Sequence, residues 1–232
     1  MIELQNVSKK FGLNTFALEN INLKILDHEF VFIVGPTGSG KTTFLKLLTH
    51  EIVPSTGTIV IDGESIAKLS SIKITKLRRK IGVIYQDFKL LFDRTVFENV
   101  MLPLEIIGLS SKEITRRVNY ILDLVNLARQ KNLFPSQLSG GEMQRAAIAR
   151  AIIMEPNFIL ADEPTGNLDP ATGWDIMKLL RDINKTSNVT VIVSTHNMDA
   201  VNSLGKRIVR LENGKIIKDE KQIVKRHNNE NQ

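Results

Sequence analysis

Short, unbroken apolar runs alternate along this chain with stretches of helical periodicity. Phe30–Val34 contains no polar residue, the pattern of a strand buried on both faces. Residues 81–85, 157–161 and 189–195 read as further strands, and residues 1–7 are strand-like. Residues 42–48 read as a helix, and 112–125 show a clear 3.6-residue apolar period. Residues 139–153 repeat that period, with Ser139 as a natural N-cap and Glu142 three positions later, as in a capping box. The pattern predicts a single α/β domain with two lobes. Residues 1–87 and 157–220 carry the strands, residues 88–156 are mostly helical, and residues 221–232 form a polar tail expected to be disordered.

Composition narrows the class. At 232 residues with 42% hydrophobic content the chain is long enough for one substantial core. No apolar stretch approaches a membrane span, and the amino terminus lacks a signal-peptide pattern. The absence of cysteine excludes disulfides and thiolate metal sites and suits a reducing compartment. A net charge of +6 is compatible with an anionic membrane surface, with nucleic acid, or with neither, because the basic residues are scattered.

The chemistry lies at the ends of the predicted strands. Gly35-Pro36-Thr37-Gly38-Ser39-Gly40-Lys41-Thr42 follows the strand at 30–34, precedes a helix and fits G-x-x-x-x-G-K-S/T. Its glycines let successive backbone N–H groups point inward, where they and the helix N-terminus bind phosphate oxygens. Lys41 is placed to reach the β- and γ-phosphates, and Thr42 to ligate Mg²⁺. A second buried strand ends in Asp162-Glu163. Downstream of a phosphate loop, Asp162 is expected to hold Mg²⁺ and Glu163 to polarise the attacking water as general base. The run Leu138-Ser139-Gly140-Gly141-Glu142 opens the third helix. It is readable simply as a well-capped helix, yet its glycines also leave the N-terminus bare for an anion.

Together, in this order, the three strings resemble the ATP-binding cassette (ABC) ATPases over nearly the whole chain. The resemblance implies an α/β P-loop NTPase fold with a RecA-like core and a helical subdomain. It implies ATP and Mg²⁺ as cofactors. It also implies a homodimer in which residues 138–142 contact, in trans, the nucleotide on the opposite phosphate loop. Family patterns match Gln86 to the Q-loop glutamine, a sensor of γ-phosphate and metal. They match Asn167-Leu168-Asp169 to the D-loop, His196 to the switch histidine, and Phe11 to the aromatic on the adenine ring. Thr43 completes the nucleotide-binding set. Glu142 departs from a signature that often ends in glutamine.

Residues 87–100, with Lys89-Leu90-Leu91, Asp93-Arg94-Thr95-Val96 and Glu98-Asn99-Val100, resemble the FtsE subfamily of the cell-division complex FtsEX. That likeness implies an integral membrane FtsX-like partner and control of cell-wall hydrolysis. It implies a place on the cytoplasmic face of the plasma membrane, or the stromal side of a plastid inner envelope. The run 160–170 is shared with lipoprotein-release and macrolide-export ATPases, the alternative reading. Of residues 88–97, Phe88, Leu90, Leu91, Phe92, Val96 and Phe97 are candidates to dock the partner or to fill the core. Nucleic-acid ABC ATPases of the Rad50 and SMC type are excluded, because only 98 positions separate Lys41 from Ser139, too few for a coiled-coil insertion.

Overall fold

The apolar run at 30–34 becomes a central strand of a six-stranded sheet. The computed structural model describes residues 1–12 and 15–220; the expected polar tail at 221–232 lies outside the described residues. In chain order the strands are β1 (Ile2–Phe11), β2 (Thr15–Ile25), β3 (Phe30–Val34), β4 (Thr56–Ile61), β5 (Glu64–Ser65), β6 (Ile81–Ile84), β7 (Phe158–Asp162), β8 (Thr190–Thr195), β9 (Arg207–Glu212) and β10 (Lys215–Glu220). The helices are α1 (Lys41–Leu48), α2 (Ser71–Arg79), α3 (Val96–Ile106), α4 (Ser111–Leu124), α5 (Gly140–Ile152), α6 (Pro170–Ser187) and α7 (Met198–Leu204).

The larger sheet has the order β10-β9-β3-β8-β7-β6, parallel except for the terminal β9–β10 hairpin. A smaller antiparallel sheet, β2-β1-β4-β5, lies against it. Strand periodicity explains why β3 contains no polar residue. Phe30, Phe32 and Val34 face a core shared with α3, α4, α5 and α6, whereas Val31 and Ile33 face a second core shared with α1 and the antiparallel sheet. Each fully buried side chain of this kind contributes about 1.5–3 kcal/mol relative to exposure.

Residues 88–156 contain α3, α4, α5 and two 3₁₀ turns. The stripe read at 112–125 is α4, which starts one residue earlier because the Ser110 side chain accepts the Glu113 N–H. Its buried residues, Ile114, Val118, Ile121 and Leu122, follow the predicted spacing. Buried Asn99 shapes the segment before α3. Its Oδ1 accepts the Leu91 N–H, and its Nδ2 donates to the carbonyls of Leu91, Arg94 and Thr95. The loop folded around it turns Leu90 and Val96 inward and leaves Leu91 and Phe92 outside, 41% and 61% exposed. Phe88 and Phe97 are part-buried against the core.

Arg207 ties the two sheets together. Its guanidinium donates to the Lys24 carbonyl in β2, to both carboxylate oxygens of Glu29 just before β3, and to Asp219 in β10. Those charges hold its pKa above the ordinary arginine value, and the Asp219 hydrogen bond is the largest cause. Arg207 and Glu29 are each only 13% exposed, so truncation would strand a shielded carboxylate. Arg207→Ala should lower unfolding stability by about 2–4 kcal/mol, measured by urea denaturation; a loss within the noise of a surface substitution would show that the sheets hold together without it.

Candidate functional site

Parallel pairing brings the strand ends to one level. Val34 lies opposite Thr195, Asp162 opposite Ser194, and Ile84 opposite Ala161. The residues just beyond these ends are therefore neighbours: the loop starting at Gly35, then Gln86, Glu163 and His196. In open parallel sheets this carboxyl edge is where ligands bind.

The loop 35–42 curls through left-handed backbone at Gly38 (φ 79°) and Gly40 (φ 106°). At Gly40 a Cβ would sit 2.4 Å from the Ala17 carbonyl oxygen, so a side chain is excluded by contact with β2. At Gly38 the space is open. Gly40 is the N-cap of α1 and supplies no side-chain acceptor, which leaves the first helical N–H groups facing the loop interior. Ser39 is buried beneath the loop, and its hydroxyl has no partner among the described residues. Pro36, Thr37 and Thr42 are exposed, and Thr43 is half-buried. Lys41 is 8% exposed, and its ammonium donates to the carbonyls of Gly35 (2.8 Å) and Pro36 (3.1 Å). It also lies 3.7 Å from Glu163 Oε1.

Glu163 is a non-glycine residue at φ 47°, a conformation that costs on the order of 1–3 kcal/mol and persists only where surroundings enforce it. Its N–H donates to the Ser194 carbonyl at 3.0 Å. The turn aims its carboxylate at Lys41 and at His196, whose Nδ1 lies 3.0 Å from Oε1. A carboxylate only accepts, so Nδ1 carries the proton and a neutral ring leaves Nε2 as an acceptor. Asp162 accepts a 2.5 Å hydrogen bond from the Ser194 hydroxyl. On the far side, Gln86 Nε2 donates to Asn167 Oδ1 at 3.4 Å, and Asn167 Nδ2 donates to the Gln86 carbonyl at 3.0 Å.

The described residues include no cluster of three or more His, Cys, Asp or Glu that could cage a metal. One hydroxyl, Thr42, and one carboxylate, Asp162, beside a phosphate cradle fit Mg²⁺, which keeps waters and uses few protein ligands. The uncapped helix, the open face at Gly38 and the shielded ammonium fit a phosphate chain.

The string 138–142 lies elsewhere. Ser139 caps α5 in a closed box: its N–H and hydroxyl both donate to Glu142 Oε2 at 2.8 Å, and Ser139 Oγ accepts the Glu142 N–H at 3.3 Å. Gln130 Nε2 donates to the other Glu142 oxygen. Leu138 is buried. A Cβ on Gly140 would meet Leu168, and one on Gly141 would meet Thr172 at 2.5 Å, so this turn abuts 167–172. Asp169 is the N-cap of α6, accepting from Ala171 and Thr172, and those bonds, the Thr172 hydroxyl first, lower its pKa. Phe11 is 49% exposed with Lys9 Nζ 5.3 Å from its ring centroid, so it is not a core residue. Ser194 and Arg150 were not singled out from sequence. Ser194 had a signal, a hydroxyl interrupting the apolar run of β8. Arg150, which bonds the carbonyls after Gln86, looks like any helix-surface arginine in sequence.

The Glu142 carboxyl is held below its ordinary value, first by the Ser139 backbone N–H and then by its hydroxyl. A depressed carboxylate contributes stability above its unfolded value of about 4.5 and loses it as pH falls through the lower folded value. Glu142→Gln should therefore cost about 1 kcal/mol or less at pH 7, and the difference should begin to shrink near pH 4.5 and vanish as the pH falls through the lower folded value. Thermal melting of both proteins across that range checks it; a pH-independent difference would assign the effect to shape alone.

The ABC transporter family profile matches residues 18–166. The chain is 47% identical over 220 residues to the cell division ATP-binding protein FtsE of Bacillus subtilis, covering 95% of this chain and 96% of that protein. It is 40% identical to the methionine import ATP-binding protein MetN of Haemophilus ducreyi, covering 94% of this chain and 64% of that protein. Among solved structures it is similar to a dimeric post-hydrolysis state of the ATP-binding cassette MJ0796 bound to ADP and Pi, with TM-score 0.86 and 41% identity over 95% of this chain and 98% of that one. With this fold and these relatives, the chain belongs to the ABC transporter family as an ATP-hydrolysing cassette.

Proposed function

We propose that this chain is the ATPase subunit of an FtsEX-like membrane complex, closing as a homodimer around two ATP molecules to move an integral membrane FtsX-like partner that regulates cell-wall hydrolysis in division. The observation carrying the site assignment is the level edge of four neighbouring parallel strands, where Asp162 ends one strand and Lys41, Glu163, Gln86 and His196 come after the strand ends. The likeness to FtsE proteins supports the cell-division assignment. This subunit acts peripherally, on the cytoplasmic face of the membrane; no helix among the described residues is long and apolar enough to cross one.

In this reading Lys41 exchanges the Gly35 and Pro36 carbonyls for phosphate oxygens, and the N–H groups of residues 38–43 complete the cradle. Thr42, Asp162 and Gln86 would hold Mg²⁺, which would neutralise charge on the phosphate oxygens. Glu163 orients and deprotonates water, with His196 fixing its carboxylate. Phe11 stacks on the adenine. Within one chain the signature abuts the D-loop, Asn167-Leu168-Asp169, rather than residues 35–43, which supports its use against the other chain's nucleotide. The dimeric state of a solved neighbour supports the homodimer.

The partner docks beside the Gln86 loop. A cavity of about 500 Å³ there is lined by Ile81, Val83, Pro103, Ile107 and Met154, with Arg79 among its basic residues. Exposed Leu91 and Phe92, in the loop that follows Gln86, offer further apolar surface. The similarity to MetN favours a second reading, an import ATPase with the same chemistry and a different membrane subunit.

Glu163→Gln preserves shape and removes the base. It should bind MgATP with near-normal affinity, lose at least about a hundredfold in kcat and accumulate as a dimer in ATP, seen by light scattering. Normal turnover would move the base elsewhere.

Phe92→Asp should leave melting temperature and ATP binding unchanged, because the side chain is 61% exposed. It should abolish co-purification of the membrane subunit from detergent-solubilised host membranes, as expected for an apolar anchor. Retained co-purification would sink the docking assignment, and recovery with the wild-type chain of a membrane subunit unlike FtsX would favour the import reading.

A further inference from the structure

Phe88 and Lys89 are consecutive non-glycine residues in left-handed backbone, at φ 60° and 50°. L side chains avoid this region, and two in succession persist only where neighbours impose them. The local hydrogen bonds run from the Phe88 N–H to the Tyr85 carbonyl and from the Lys89 N–H to the Asp87 carbonyl. The external support is Arg150, near the carboxyl end of α5. Its Nη1 donates to the Lys89 carbonyl at 2.7 Å and its Nη2 to the Phe88 carbonyl at 3.0 Å. Burial pushes the Arg150 pKa down, so the fold keeps a partly desolvated charge there for two neutral carbonyls. A planar fork with fixed donors can grip adjacent carbonyls together; a single ammonium cannot reproduce both bonds.

Gln86 lies two residues before this turn and is held on its other side by Asn167. The helix that carries Arg150 begins at Gly140, about 15 Å away at 1.5 Å per residue. One rigid element thus has the signature at one end and the Gln86 turn at the other.

We propose that Arg150 is a positioning residue for ATP hydrolysis: its two-pronged grip on the Phe88 and Lys89 carbonyls fixes the turn that presents Gln86 and makes that turn move with the signature helix. This rests on the assignment of Gln86 to the active site. The bonds of Arg150 run to the Phe88 and Lys89 carbonyls and not to the phosphate loop, Asp162 or Glu163, so it acts through Gln86.

The test is steady-state ATPase kinetics of the full chain for Arg150→Met, Arg150→Lys, Gln86→Ala and the Arg150→Met/Gln86→Ala double variant, with melting temperatures alongside. Arg150→Met should reduce kcat by about tenfold to a hundredfold, as misplacement of a site group does, while KM for ATP stays within about twofold because the phosphate loop is untouched. Arg150→Lys should fall between Arg150→Met and the wild-type chain. Once Gln86 is alanine, removing Arg150 should cost little more, since both act through one group. Folded Arg150→Met with normal kcat beside a slowed Gln86→Ala would overturn the proposal and leave Gln86 in the site. Normal kcat in Gln86→Ala would instead overturn the Gln86 assignment. Multiplicative losses in the double variant, or unfolding of both Arg150 variants, would make Arg150 a stability residue and end the proposal.

Discussion

In-register parallel pairing of β3, β8, β7 and β6 is the constraint on which the rest depends. Residues far apart in sequence share a site only because their strands end at the same height. Each strand leads into polar groups just beyond its last buried residue, so a slip of one position would invert its side chains and withdraw them. The cores above and below the sheet prevent the slip. Phe30, Phe32 and Val34 are committed to one face, and Val31 and Ile33 to the other. Packing specifies register, and register places Lys41, Glu163 and His196.

The positions just past those strands carry strain. Glu163, Phe88 and Lys89 all take left-handed backbone without being glycine. Each is supported by a specific partner: the Ser194 carbonyl for Glu163, Arg150 for the other two. Elsewhere on this chain the same conformation falls mostly at glycine or asparagine, where it is cheap. Expensive conformations at the site and cheap ones in ordinary turns mark where side-chain identity is needed more than ease of turning.

Much of this was legible in sequence because the signals were local. Two-faced burial forces an unbroken apolar run, so β3 and much of β7 and β8 could be read directly. Phosphate chemistry requires glycines beside a lysine, and the Ser139–Glu142 cap follows from spacing alone. What stayed hidden depends on contacts distant in sequence. Six apolar residues at 88–97 look alike until Asn99 folds the loop and decides that Leu90 and Val96 go in while Leu91 and Phe92 stay out. Arg207 and Arg150 bond backbone carbonyls, and a carbonyl leaves no trace in residue identity. Asp169 read as a D-loop residue; its role as the N-cap of α6 emerged from geometry, and the two roles are compatible because the cap uses Oδ1.

The Ser139–Glu142 box bears on how a signature engages phosphate. In the free chain the Ser139 hydroxyl proton points at Glu142 Oε2, and the Glu142 charge is stabilised by that bond. In the proposed dimer a phosphate reaching Ser139 meets a nearby carboxylate, so the N–H groups of Gly140 and Gly141 must outweigh that repulsion. They can do so only at contact range, since the field of a helix terminus fades within its first turn. A glutamine at position 142 would keep the cap geometry without the charge. In that proposed dimer Glu142 would raise the energy of the phosphate-bound state relative to a glutamine signature, while the free state stays well capped. A ligand shifts such an equilibrium only by its differential affinity for the two states, and in the proposed dimer part of that differential would lie in the side chain where the family pattern is broken.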